Sequence, residues 1–170
     1  QDWIHELPGQ KVLLRGNHDL WWCRIQHLRT LYDDMHFLQN DCYYVEALDL
    51  AICGSRGWPT PDATTYTEHD EKMYLREQGR LRNSLVEAKK KGASRIIMAM
   101  HYPPAKVEET EFTRIMKEYG VTQCVYGHLH GMVAWTNGIK GEHGGIDYKL
   151  VSLDYLGAKP KLIYDSEQEK

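Results

Sequence analysis

A layered α/β fold, with helical crossovers beside antiparallel strand pairs, is what this sequence predicts. Three observations carry that expectation. The apolar runs Val12-Leu13-Leu14, Ile96-Ile97-Met98-Ala99-Met100 and Cys124-Val125-Tyr126 are short and bounded, as strands buried in a sheet are. A long helical pattern over residues 68–91 lies between the first and the second of them, so strands and helices alternate. Each run also ends in a loop that carries His, Asn or Gly: Gly16-Asn17-His18-Asp19, His101-Tyr102-Pro103-Pro104 and Gly127-His128-Leu129-His130. Loops past strand ends are where open α/β sheets collect their chemistry.

Residues 2–7 hold apolar side chains at helical spacing and stop at Pro8-Gly9, which predicts the end of a helix. A strand over 11–15 leads into the Asn-His loop. An amphipathic helix follows, with Trp21, Ile25, Leu28 and Leu31 on one face. Phe37-Leu38, Cys42-Tyr43-Tyr44-Val45 and Leu50-Ala51-Ile52-Cys53 predict a small antiparallel meander. Gly57-Trp58-Pro59-Thr60-Pro61-Asp62 then breaks regular structure as far as Thr67.

The helix over 68–91 sets Tyr74, Leu81, Leu85 and Ala88 in one stripe, with Gly79 costing about 1 kcal/mol relative to Ala. Lys89-Lys90-Lys91 closes it before Gly92, where cations offset the negative end of the helix dipole. A strand over 95–100, a helix over 111–119 and a strand over 122–126 come next. Further strands are expected over 133–136, 148–152 and 162–164, and the polar stretch past Asp165 reads as a frayed end.

Length and composition narrow the function classes. A chain of 170 residues fits one domain, burying roughly 70% of the surface its unfolded form exposes. No run approaches the ~20 apolar residues a spanning helix needs, which argues against a membrane role. A net charge of -3 supplies no field to recruit nucleic acid. The four cysteines are widely spaced with no C-x-x-C, the pattern of reduced core thiols in a cytoplasmic protein. The start of the chain carries no charged-then-apolar signal segment, and its first residue, Gln1 and not Met, points to a trimmed or partial chain.

The loops carry the chemistry. In an extended segment His128 and His130 point the same way, so both imidazoles can face one ion or two adjacent ions; the alternative is a pair of solvent-facing loop histidines. Gly127 and Gly131 permit tight backbone paths around them. His101 and Asn17 at equivalent strand ends strengthen the metal reading. Asn17 offers a hard amide oxygen or serves as a turn residue. His18 beside Asp19 can donate a proton, while Asp19 also sits where an N-cap for the next helix would sit. Arg56 can clamp a phosphate with Trp58 as an apolar wall and Tyr102 nearby, or the three can be ordinary packing and surface groups. Trp21-Trp22 reads as packing, not as a base-stacking platform.

The order Gly16-Asn17-His18-Asp19 with Trp21-Trp22, then Arg56-Gly57-Trp58, His101-Tyr102-Pro103-Pro104 and Tyr126-Gly127-His128-Leu129-His130-Gly131 resembles the calcineurin-like metallophosphoesterases, and within them a bacterial branch. The resemblance spans nearly the whole chain. It implies a two-sheet α/β sandwich flanked by helices. It also implies a metal site: Asn17, His101 and His128 as ligands of one divalent ion and His130 as a ligand of a second, with Mn, Fe, Zn, Ni and Mg all open. Hydroxide generated between the two ions would attack a phosphomonoester or phosphodiester in line. His18, oriented by Asp19, would attend the departing oxygen, and Arg56, Trp58 and Tyr102 would hold a small phosphorylated substrate.

The family's Asp-x-His and Gly-Asp strand ends are not found before Gly16. Residues 1–170 are therefore expected to be the C-terminal part of a single metallophosphoesterase domain, inactive alone. A catalytically silent binding scaffold on the same fold is the alternative. A nuclease is disfavoured by the lack of a basic stripe.

Overall fold

Buried at nearly every position, the runs Leu50–Ser55 and Arg95–Met100 have no polar face to turn toward water, so they form the centre of a sheet. The computed structural model describes residues 2–167. In chain order its elements are α1 (Asp2–His5), β1 (Lys11–Leu14), α2 (Ile25–Leu28), β2 (Met35–Leu38), β3 (Cys42–Val45), β4 (Leu50–Ser55) and α3 (Glu68–Lys90). Then come β5 (Arg95–Met100), α4 (Glu111–Glu118), β6 (Gln123–Tyr126), α5 (Met132–Trp135), β7 (Gly141–His143) and β8 (Ile146–Leu150). A six-stranded sheet has the order β3-β4-β5-β6-β8-β7, and β1 and β2 make a separate two-stranded sheet. The four central strands of the large sheet run parallel, and the hairpins β3–β4 and β7–β8 add an antiparallel strand at each edge.

Helix α3 begins where Thr67 and Asp70 cap each other reciprocally, which satisfies two otherwise orphaned N–H groups. Its stripe of Tyr74, Leu81, Leu85 and Ala88 is buried in one core with Ile96 and Met98 of β5 and with Phe112, Ile115 and Met116 of α4. Ser84 of α3 accepts from Gly54 N–H at 3.0 Å and donates to the Asp41 carbonyl at 2.5 Å, tying the helix to β4. The two sheets meet at Gly54. A Cβ there would lie 2.7 Å from Leu38 Cδ1 and 3.1 Å from Leu14 Cδ1, so the absence of a side chain is what lets the small sheet approach.

The expected α/β architecture of two sheets flanked by helices is the one observed, with local differences. The antiparallel meander is a hairpin only. β2 leaves it and pairs in parallel with β1, Lys11 opposite Met35 through Leu14 opposite Leu38. The helix expected from Trp21 shrinks to the single turn of α2, because Trp22 and not Trp21 turns inward, meeting Phe37 edge-on at 5.3 Å. Residues 133–136 are not a strand. Met132–Trp135 is a helical turn that leaves Met132 and Val133 exposed. Residues 162–164 also form no strand, although Tyr164 packs against Arg95.

Candidate metal centre

Parallel strands deliver their C-terminal ends to one side, and the sequence places its polar loops at those ends. Backbone bonds join three of the loops. Tyr102 N–H donates to the Arg56 carbonyl at 3.0 Å, and Gly127 N–H donates to the His101 carbonyl at 3.2 Å. The Asn17 loop comes from the other sheet. It reaches His101 because Gly16 is a glycine: a Cβ there would stand 3.1 Å from the His101 ring and from Asp19 Oδ2.

Three donor atoms converge at this rim. His101 Nε2 lies 2.7 Å from Asn17 Oδ1 and 3.2 Å from His128 Nδ1. One ring proton on His101 can serve only one of these two neighbours, whereas a cation would serve all three. The 2.7 Å and 3.2 Å separations are those of hydrogen bonds, so the three groups hold one another in place at the rim. Burial, followed by the charges of His128 and Arg56, pushes His101 down to about 4, so its imidazole is neutral at pH 7 as a ligand must be. His128 is lowered as well, first by burial and then by His130 and His18.

His128 has φ +69°, and the Leu129 N–H reaches back to the Gly127 carbonyl at 2.8 Å, so the imidazole sits at the tip of a three-residue turn. Left-handed backbone at a non-glycine residue is strained, and such strain persists where the surroundings hold it.

His130 stands apart. Its Nδ1 is 3.0 Å from Asp154 Oδ1, and the other Asp154 oxygen accepts from Gly131 N–H at 2.8 Å. Those bonds, the backbone one foremost, hold the Asp154 carboxyl below its usual range. Among the described residues no group of three or more His, Cys, Asp or Glu side chains gathers as a metal site, and at the rim the third donor is the Asn17 amide.

His18 is exposed beside this cluster. Asp19 does not orient it. The Asp19 carboxylate accepts from Gly16 N–H at 2.5 Å and from Trp21 Nε1 at 3.1 Å, bracing the loop. Nor does Asp19 cap a helix, since α2 begins at Ile25 after Arg24.

Arg56, Trp58 and Tyr102 do come together. The Arg56 guanidinium carbon is 5.1 Å from the Trp58 ring centre and 5.8 Å from that of Tyr102, and Tyr102 lies 4.3 Å from the His128 ring. Trp58 Nε1 donates to Asp70 Oδ1 at 3.0 Å. Sequence reasoning missed this anchoring role of Asp70, and the signal available was the capping pair Thr67 and Asp70 at the start of α3.

The family of calcineurin-like phosphoesterases matches residues 1–132, and the chain belongs to that family. Metal-dependent hydrolysis of phosphoesters and binding of divalent ions are the general properties of its members. No curated protein and no solved structure matches the chain. Among the described residues no helix is long and apolar enough to cross a membrane.

Proposed function

We propose that this protein is a phosphoester hydrolase whose first metal position is formed by Asn17, His101 and His128. The observation that carries the reading is the convergence of Asn17 Oδ1, His101 Nε2 and His128 Nδ1 at strand ends of both sheets, in a chain of this family. Divalent ions bound here and beside His130 would lower the pKa of water and polarise a phosphoryl oxygen.

The chain's own residues supply the rest. The His130 Nδ1–H donated to Asp154 would leave Nε2 with its lone pair available outward. His18, near enough to depress both His101 and His128, is positioned to hand a proton to the departing oxygen. Arg56, steadied against Trp58 and Tyr102, would draw in the substrate phosphate beside His128. The substrate is a small phosphorylated molecule, and the balance between monoester and diester is open to assay.

Metal analysis and hydrolysis of a generic monoester and diester test the reading. His128→Ala should lose metal, while His18→Ala should keep it and lose roughly 10²–10⁴ in turnover. Metal bound without hydrolysis of either ester would favour a silent scaffold.

A further inference from the structure

A cleft of about 390 Å³ opens beside the Arg56 loop, between the C-terminal ends of β1, β2 and β4 and the first half of α3. Its wall carries five arginines, Arg15, Arg24, Arg56, Arg76 and Arg80, in a chain whose net charge is negative. Glu77 is the one carboxylate on that wall, and it is already committed. Buried at 1% exposure, it takes Arg80 Nη1 at 2.6 Å and the Ser55 hydroxyl at 2.9 Å. Arg15, Arg24 and Arg76 are exposed and make no ion pair among the described residues.

Two further donors on the same wall point to an acceptor. Arg56 Nε and Trp22 Nε1 are both buried without a hydrogen-bond partner among the described residues. A buried N–H left unpaired is costly, which favours a ligand that brings oxygen atoms to it. Guanidinium groups match phosphate oxygens in pairs, and a cleft lined by one sign of charge concentrates anions. The volume is that of a small-molecule site and exceeds what a lone phosphate fills.

We infer that this cleft receives a second phosphate group of the substrate, so that the phosphoesters this protein acts on carry at least two phosphates. Arg56 belongs both to the cleft and to the stack over Tyr102, and so connects the second group to the metal rim. The inference rests on the hydrolytic reading for the word substrate, but the binding of a polyanion in the cleft stands by itself.

Calorimetric titration of the metal-free chain, in chelator, with pyrophosphate and with inorganic phosphate tests it. Saturable 1:1 binding of pyrophosphate is expected, clearly tighter than that of inorganic phosphate. It should weaken roughly tenfold in Arg24→Gln and in Arg76→Gln, the effect of losing one charge-assisted contact. Arg114→Gln, a charge change on α4 where Arg114 pairs with Glu109, should leave it unaltered. Thermal melts of the variants confirm that these surface changes leave the fold intact. No saturable binding, equal affinity for the two anions, or binding lost in His128→Ala but retained in both cleft variants would each overturn the proposal. An absence of hydrolysis by metal-loaded protein would instead count against the hydrolytic reading and leave this titration readable.

Discussion

Around the six-stranded sheet, Leu81, Leu85, Ile96, Met98, Phe112 and Ile115 are closed to solvent, whereas every residue of β1 in the two-stranded sheet is only half-buried. The small sheet has its own cluster of Trp22, Leu28, Met35 and Phe37, separate from the main core, with Trp3, Leu7, Leu20 and Trp21 exposed nearby. Yet both sheets serve one rim, since His101 and His128 follow strands of the large sheet and Asn17 follows β1. The rigid part thus carries two imidazoles and the thinner part a single amide. Such a division leaves the geometry of the centre dependent on how firmly one sheet is seated on the other.

The contrast can be broken most forcefully in the cores. Leu81→Ala should cost about 2–5 kcal/mol by leaving a cavity under α3, and Leu13→Ala markedly less because its site is already part-open. Chemical denaturation of both variants measures the gap, and equal losses would show the two regions to be equally packed. Next in size is Gly54→Val, which drives a side chain into Leu38 and Leu14. A loss of about 1–3 kcal/mol is expected from overpacking, together with weaker binding of Mn or Zn as Asn17 is carried away from His101. Unchanged metal affinity in a destabilised Gly54→Val protein would mean that sheet seating does not control the rim.

Asp154→Ala acts entirely on the large-sheet side. With His130 Nδ1 and Gly131 N–H released, metal affinity at that histidine should fall roughly 10–100-fold, read by competition with a chelator dye in protein holding both ions. The smallest effect is at the other end of the small sheet. Lys11 and then His5 hold the Asp34 carboxyl below its usual value, so the ionised form is favoured by folding. Its contribution is present above the ordinary carboxylate range, near pH 4, and fades as pH falls through the lower folded value. Asp34→Asn should therefore flatten the fall of Tm on acidification, and an unaltered acid limb would remove Asp34 from the account.

What the sequence made legible follows the same division. β4, β5, β6 and α3 could be read because their apolar runs and stripe are strong and locally bounded, and the cap at Thr67 marks where α3 starts. β2 could be read as a strand but not as a partner of β1, since local pattern does not encode which strand lies alongside. The turn at Met132–Trp135 was illegible because four apolar residues after a glycine fit strand and helix alike. At the site, the strand-end positions of Asn17, His101 and His128 were visible in the motifs. The bonds of Asp19 to Gly16 and Trp21 were not, because a carboxylate next to a histidine in sequence is free to face elsewhere in a tight loop. The arginines of the cleft come from four separate segments, so no motif joined them.

The packing of Arg56 against Trp58 and Tyr102 has an entropic consequence. An arginine side chain gives up about 2 kcal/mol of rotamer freedom when it is immobilised. Here that loss falls in the folding step, so an arriving anion meets a guanidinium already ordered. The order reaches further still, because Trp58 is tethered to Asp70 and Asp70 is locked with Thr67 at the start of α3. The first turn of a helix remote from the metal rim therefore sets how much disorder remains to be removed when a phosphate binds.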